Sequence, residues 1–294
     1  MMPIRRDLHF ALPPDRVSDW HAWGPHVTQF FNALSLMFPG GERYFIDSVR
    51  HYRDQIDDPV LKKHMLGFIG QEAMHTREHI EYNKQLEAAG LPAHQLDKRI
   101  WALFNFGRRH LPPSFRLAQT VALEHYTAML AGMVLDDPSR LEGSEEHYRQ
   151  VWMWHALEET EHKAVSFDVW NAVIKPGPKR YLMRTLAMLE VTVLFWTLVF
   201  DFHVRLIVAD RKRGGHLRGI WQVVRFLFGR RGVFPTIALD WLRFFKPSFH
   251  PWDHDNRAQL ARLDSLLAAI GATHAPYGTH APGAPPHQDE KAPA

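Results

Sequence analysis

Two Glu-x-x-His motifs, Glu72-Ala73-Met74-His75 and Glu159-Thr160-Glu161-His162, are the parts of this chain best suited to chemistry. Three residues apart on a helix, a carboxylate and an imidazole share one face and can reach a single site. Either motif alone is weak, because an amphipathic helix with its polar side in water gives the same pattern. Their positions strengthen them. Glu42 and Glu72 have their midpoint at residue 57, inside Asp57-Asp58-Pro59, where an acidic N-cap precedes proline at the first helical position. Glu124 and Glu159 have theirs between residues 141 and 142, inside a break at 136–144. Two antiparallel hairpins folded there each bring one lone Glu level with one Glu-x-x-His. Facing each other, they gather four Glu and two His at one height of a four-helix bundle.

That is the ligand set of the di-iron and di-manganese carboxylate proteins of the ferritin-like class. Four carboxylates can balance two metal ions and bridge them. Apolar neighbours such as Phe68, Met74, Val121, Met129 and Trp154 suggest a buried face, where carboxylates need a compensating cation. The competing reading turns these glutamates outward into water. His155 adds a third position to one stripe, His155-x-x-x-Glu159-x-x-His162, either as a seventh ligand or as a packed imidazole supporting one. His79, one turn beyond His75, is expected in a supporting role. Glu158 and Glu161 are offset from Glu159 and are expected to be solvated or to back the ligands. Asp47 and Asp168 are candidates to orient ligand imidazoles, since a metal-bound His usually donates its other N–H to a carboxylate. His125, about 100° from Glu124, is expected to be structural.

The elements needed to position these residues are all helical. Residues 1–25 are irregular. A helix is expected from about 26 to 54, with Pro39-Gly40-Gly41 breaking or offsetting its start. Further helices are expected from 59 to 89 before Gly90, from 93 to 110 before Pro112-Pro113, from Ser114 to 135, and from 145 to 174. Residues 26–175 then form the metal-binding four-helix bundle and 176–270 a helical layer packed on it. The tail at 271–294, rich in Ala, Pro, His and Gly, is expected to be disordered. The uncharged run 191–200 is too short to span a bilayer, so its helix is expected to be buried against the bundle. Arginines across 211–231, interleaved with Trp221, Phe226, Leu227 and Phe228, suit either a solvated basic helix or contact with an anionic membrane surface.

Composition narrows the classes. With 294 residues, 46% of them hydrophobic, the chain can build a sizeable core. The absence of Cys excludes disulfides, thiolate metal sites and a cysteine nucleophile, whereas 20 His favour imidazole–carboxylate chemistry. A net charge of +3 gives no field for nucleic acid, and no recognition motif supports such a partner. No glycine-rich phosphate loop and no Gly-x-Ser-x-Gly elbow occurs. The start, Met1-Met2-Pro3-Ile4-Arg5-Arg6, does not read as a secretory signal, and a cytoplasmic location, peripheral at most to the inner membrane surface, is expected.

Gly41-Glu42, Gln71 to His75, Ala122 to His125 and Trp152 to Lys163 together resemble a bacterial, ferritin-like family described as predicted metal-dependent hydrolase, over about residues 5–260. The pattern Glu, Glu-x-x-His, Glu, His-x-x-x-Glu-x-x-His is also similar to that of di-iron arylamine N-oxygenases, a likeness that implies an iron-ligand role for His155. The expectation is an all-α, ferritin-like four-helix bundle with added C-terminal helices. Its metal ligands are Glu42, Glu72, His75, Glu124, His155, Glu159 and His162, around two metal ions, iron first and manganese or zinc as alternatives. The function expected first is dioxygen activation to oxidise a small hydrophobic substrate, with an electron-donor protein. The alternatives are metal-dependent hydrolysis through a metal-bridged water and non-enzymatic metal binding. A homo-oligomer is a further expectation.

Overall fold

The computed structural model describes residues 2–210 and 216–273, with no strand among them. The N-terminal residues run extended over the surface to a short 3-10 turn at Pro14–Arg16. Helix α1 (Pro25–Arg50) and α2 (Pro59–Ala88) form the first hairpin. Asp58 caps α2 by accepting from Val60 N at 2.8 Å, with Pro59 at the first helical position. Gly90, at φ +83°, ends it. Helix α3 (Ala93–His110) packs across α1 and α2. Helices α4 (Pro113–Asp136) and α5 (Glu146–His162) make the second hairpin, and α1 also packs on α4 and α2 on α5. Glu145 caps α5 by accepting from Tyr148 N.

Two of the expected helices differ in where they break. α1 passes straight through Pro39. Proline there removes the N–H that would have bonded to Ser35 O. Asn83 on α2 supplies it instead, donating Nδ2 to Ser35 O at 3.1 Å. The expected helix at 145–174 is interrupted after His162, and α6 (Val165–Val173) follows. Thr160 Oγ1 bonds back to Ala156 O at 3.0 Å, an arrangement that bends helices. Lys163 and Ala164 keep right-handed helical dihedrals, so the chain continues in the same sense. The third helix of the hairpins, α4, starts at Pro113, one residue before Ser114.

Helix α7 (Pro178–Ala209) packs against α1 and α4, α8 (His216–Phe228) against α1, and α9 (Val233–Arg243) against α4 and α8. The short α10 (Arg257–Leu260) and α11 (Leu263–Thr273) close over α5. α7 departs from the expected buried helix. It is 32 residues long and apolar enough to cross a membrane by length and composition, with a mean hydropathy of 1.8, yet only 39% of its apolar window is buried. The alternation of Glu190, Asp201 and Arg205 hid its length. Each of these charges has a partner: Glu190 accepts from Gln119 Nε2, and Asp201 pairs with Arg99 and Arg205. The tail expected to be disordered from 271 begins inside α11, which runs to Thr273; its remainder, 274–294, and the basic residues at 211–215 lie outside the described residues.

Candidate metal centre

The two hairpins bring all seven candidate ligands into one buried cluster. Each of Glu42, Glu72, His75, Glu124, His155, Glu159 and His162 is at most 3% exposed. His162 Nε2 lies 3.0 Å from Glu72 Oε1, 3.5 Å from Glu159 Oε2 and 3.7 Å from Glu124 Oε2. Glu159 Oε1 lies 3.0 Å from His155 Nε2 and 3.6 Å from His75 Nδ1. Three-residue groups whose ligand atoms fall within 4.8 Å of one another link the whole set: Glu72/Glu124/His162, Glu42/Glu72/His75, His75/His155/Glu159 and Glu42/His79/His155. His79 thus joins the cluster as an eighth member.

Hydrogen bonds from behind fix which nitrogen of each imidazole faces inward. The clearest case is His155. Asn83 spends its amide N–H on Ser35 O, so its Oδ1 must accept, and Ser35 Oγ donates to it at 2.8 Å. Ser35 Oγ therefore accepts from His79 Nδ1–H at 2.9 Å. His79 Nε2 then accepts from His155 Nδ1–H at 2.8 Å. That leaves His155 Nε2 as a lone pair beside the Glu159 carboxylate. His162 follows the same logic: Gln71 Nε2 donates to Ile4 O and to Glu161, so Gln71 Oε1 accepts from His162 Nδ1 at 3.0 Å. His75 Nε2 meets Glu158 Oε2 at 3.1 Å and turns Nδ1 inward. Three lone-pair nitrogens thus point at carboxylate oxygens.

Acceptors facing acceptors repel unless a cation lies between them. Consistently, Glu42 Oε1, both oxygens of Glu72 and of Glu124, Glu159 Oε2, His75 Nδ1 and His162 Nε2 are buried without a hydrogen-bond partner. Glu42 spends its other oxygen on Thr76 Oγ1 at 2.8 Å. Burial, then the charge of Glu72, pushes Glu42 well above the ordinary carboxylate range, and Glu124 rises for the same reasons. Burial takes Glu72 up to about 7 against the pull of His162. Burial also opposes the charge on Glu159, but the charge of His162 outweighs it and holds Glu159 well below 4.5. Burial would neutralise His162 too, yet Glu159 and Glu72 raise it well above 6.5. A proton on His162 Nε2 can fill the cation's role in the metal-free protein, and a bound cation would displace it to expose the lone pair. The donor set, carboxylate and imidazole without thiolate, fits iron, manganese or zinc.

Two of the residues expected to support the ligands lie elsewhere. Asp47 pairs with Arg43 and Arg108, and Asp168 meets His250 near the surface, so neither orients a ligand. Of the two positions expected for Glu158 and Glu161, they take the one behind the ligands: both are buried, held by Arg6 at 2.9 and 2.8 Å, with Glu158 on His75 and Glu161 on Gln71. Burial raises Glu158, and the Arg6 guanidinium counters it. His125 is structural, bonding to Asp240 O at 3.0 Å.

Arg6 and Gln71 are the functional residues that sequence reasoning missed. Arg6 arrives on the extended N-terminal segment, which lies directly on α2 at Gly67 and Gly70. A Cβ on Gly67 would fall 2.1 Å from Pro3 O, and one on Gly70 2.9 Å from Arg5 Cβ. Two glycines one turn apart inside a helix were the available signal. Arg6→Ala leaves Glu158 and Glu161 buried without their counter-charge, and we expect metal affinity to fall about ten- to a hundredfold with the helices intact. Metal titration alongside circular dichroism checks this.

No curated relative and no solved structure matches the chain. The model of one family, described as predicted metal-dependent hydrolase, matches residues 4–255, and the chain belongs to that family.

Proposed function

We propose that this protein is a metal-dependent hydrolase whose buried Glu–His cluster holds two cations and acts on a substrate with a small apolar group. Three inward-facing imidazole nitrogens opposed to four carboxylates carry this reading. Two bound cations would supply Lewis acidity and lower the pKa of water near the scissile bond. The chain's own residues do the rest. His79, Ser35 and Asn83 lock the tautomer of His155; Gln71 does so for His162; and Arg6 restrains the Glu158 and Glu161 carboxylates behind them. A cavity of about 40 Å³ between Phe31, Leu34, Phe38 and Trp152 reaches His155 and Glu159. Its walls are apolar, so it favours an apolar acyl or alkyl group over a charged one.

The test is turnover of short-chain nitrophenyl acyl esters and of nitrophenyl phosphate by protein loaded separately with zinc, manganese and iron. Metal-dependent cleavage of the acyl ester with little cleavage of the phosphate supports the reading, and no cleavage with any metal contradicts it. Leu34→Trp, which fills the cavity, should lower acyl ester turnover about tenfold or more at unchanged metal content.

A second reading is dioxygen activation by two irons with an electron-donor protein. The observation that favours it is the apolar cavity beside a cluster of four carboxylates, which suits oxidation of a hydrophobic substrate. Substrate-dependent oxygen uptake by the ferrous protein, without ester cleavage, would favour this reading over hydrolysis.

A further inference from the structure

Helices α7, α8 and α9 each bury one face and leave another bare and apolar. On α7 the bare face is Leu182, Leu186, Leu189, Val193, Val204 and Val208, all at least 44% exposed, with Thr197 and Phe200 between them. These positions recur every three or four residues without a charge, over about 39 Å of helix. On α8, Leu217, Trp221, Val224 and Phe228 form a similar stripe, Leu217 being 87% and Trp221 65% exposed. Leu239 and Leu242 continue it on α9. The three faces adjoin: the Phe234 ring lies 4.4 Å from Trp196 of α7 and 4.9 Å from Phe228 of α8. Soluble monomers seldom leave so long an apolar surface bare.

The α8 stripe ends at a basic basin. Arg140, Arg225, Arg230 and Arg231 line a depression of about 560 Å³ with Trp23 at its wall, and Asp137 is its one carboxylate. The Arg140 side chain is 9% exposed, its Nε 3.7 Å from Asp137 Oδ2 and its Nη2 donating to Thr236 Oγ1 at 3.1 Å. Arg225 lies over the Trp23 ring at 5.7 Å. Apolar stripes beside a guanidinium cluster match the two layers of an anionic lipid surface, acyl chains and phosphates. A second copy of this chain would bring like charge to the same basin. Nor does α7 cross the bilayer: its inner face is packed on α1 and α4, with His203 bonded to His26 O at 2.9 Å and Arg184 to Lys246 O at 2.7 Å.

We propose that α7, α8 and α9 lie in the plane of an anionic phospholipid surface, with their bare faces in the acyl boundary and the arginine basin on lipid phosphate. This docking is independent of the metal chemistry. It also places α8 between lipid and cavity, because Phe226 on its inner face packs on Phe30 and Phe31, which line the cavity. A lipophilic substrate would then reach that wall from the membrane, a step that rests on the hydrolase reading whereas the docking does not.

The experiment is co-sedimentation of the full-length protein with vesicles of phosphatidylcholine alone or mixed in equal parts with phosphatidylglycerol. We expect binding to the mixed vesicles at least about tenfold tighter than to phosphatidylcholine, and weakened by salt. Trp221→Glu should lower it about tenfold at unchanged helical content, and the double variant Arg230→Glu, Arg231→Glu should remove the preference for phosphatidylglycerol. Failure to sediment with either vesicle overturns the proposal. So does Trp221→Glu binding as wild type, or a solution dimer that Trp221→Glu dissociates.

Discussion

Glu159→Ala is expected to release essentially all bound metal and to abolish metal-dependent turnover. Glu159 is the junction of the cluster: one oxygen faces His155 and His75, the other His162. Its removal takes a carboxylate from both halves of the site at once, whereas losing a supporting group such as Arg6 only weakens binding. We expect affinity to fall well beyond the roughly hundredfold typical of supporting groups. The fold should survive, because the helices are held by cores such as Trp20 stacked on Tyr148, away from the cluster. Elemental analysis after dialysis, with circular dichroism as the control, checks this. A full complement of metal in the variant would remove Glu159 from the ligand set.

The second large effect is on stability. Metal-free Glu72→Gln should be more stable than the metal-free parent at about pH 8, with the gap closing as pH falls toward 5. Burial raises Glu72 from 4.5 to about 7 in the folded protein. Below the unfolded value the carboxyl is protonated in both states and costs nothing extra. As pH climbs from the unfolded value to the folded one, only the unfolded chain ionises freely, so folding loses stability until the folded carboxyl ionises too. A rise from 4.5 to about 7 corresponds to about 3 kcal/mol. Gln keeps the shape without the charge. With metal restored the order reverses, because the parent regains its counter-ion and the variant lacks a ligand. Urea unfolding at the two pH values, with and without metal, reads all four states.

Much of the scaffold was legible in the sequence because its signals are local. Asp58-Pro59 and Gly90 mark the ends of α2 by capping chemistry, and hairpin symmetry about residues 57 and 141–142 puts Glu42 beside Glu72 and Glu124 near Glu159. What was not legible depends on contacts between distant segments. Periodicity tells which face of α5 is polar but not that Arg6 crosses it to bind Glu158 and Glu161. It cannot show that Asn83 makes Pro39 tolerable within α1. Nor can hydropathy say which half of α7 the bundle covers, so a helix expected to be buried proved to be bare along one side. Asp47 and Asp168 carried the right chemistry to orient an imidazole, but arginine and a surface histidine hold them elsewhere.

The central claim is that the cluster is a dinuclear metal centre. It is tested most directly by anomalous diffraction from crystals of the metal-loaded protein, recorded above and below the absorption edge of the bound element. We predict two peaks inside the bundle, enclosed by Glu42, Glu72, His75, Glu124, Glu159 and His162, with His155 Nε2 directed at one of them. A single peak, or peaks only at surface carboxylates while these side chains keep their metal-free positions, would contradict the account.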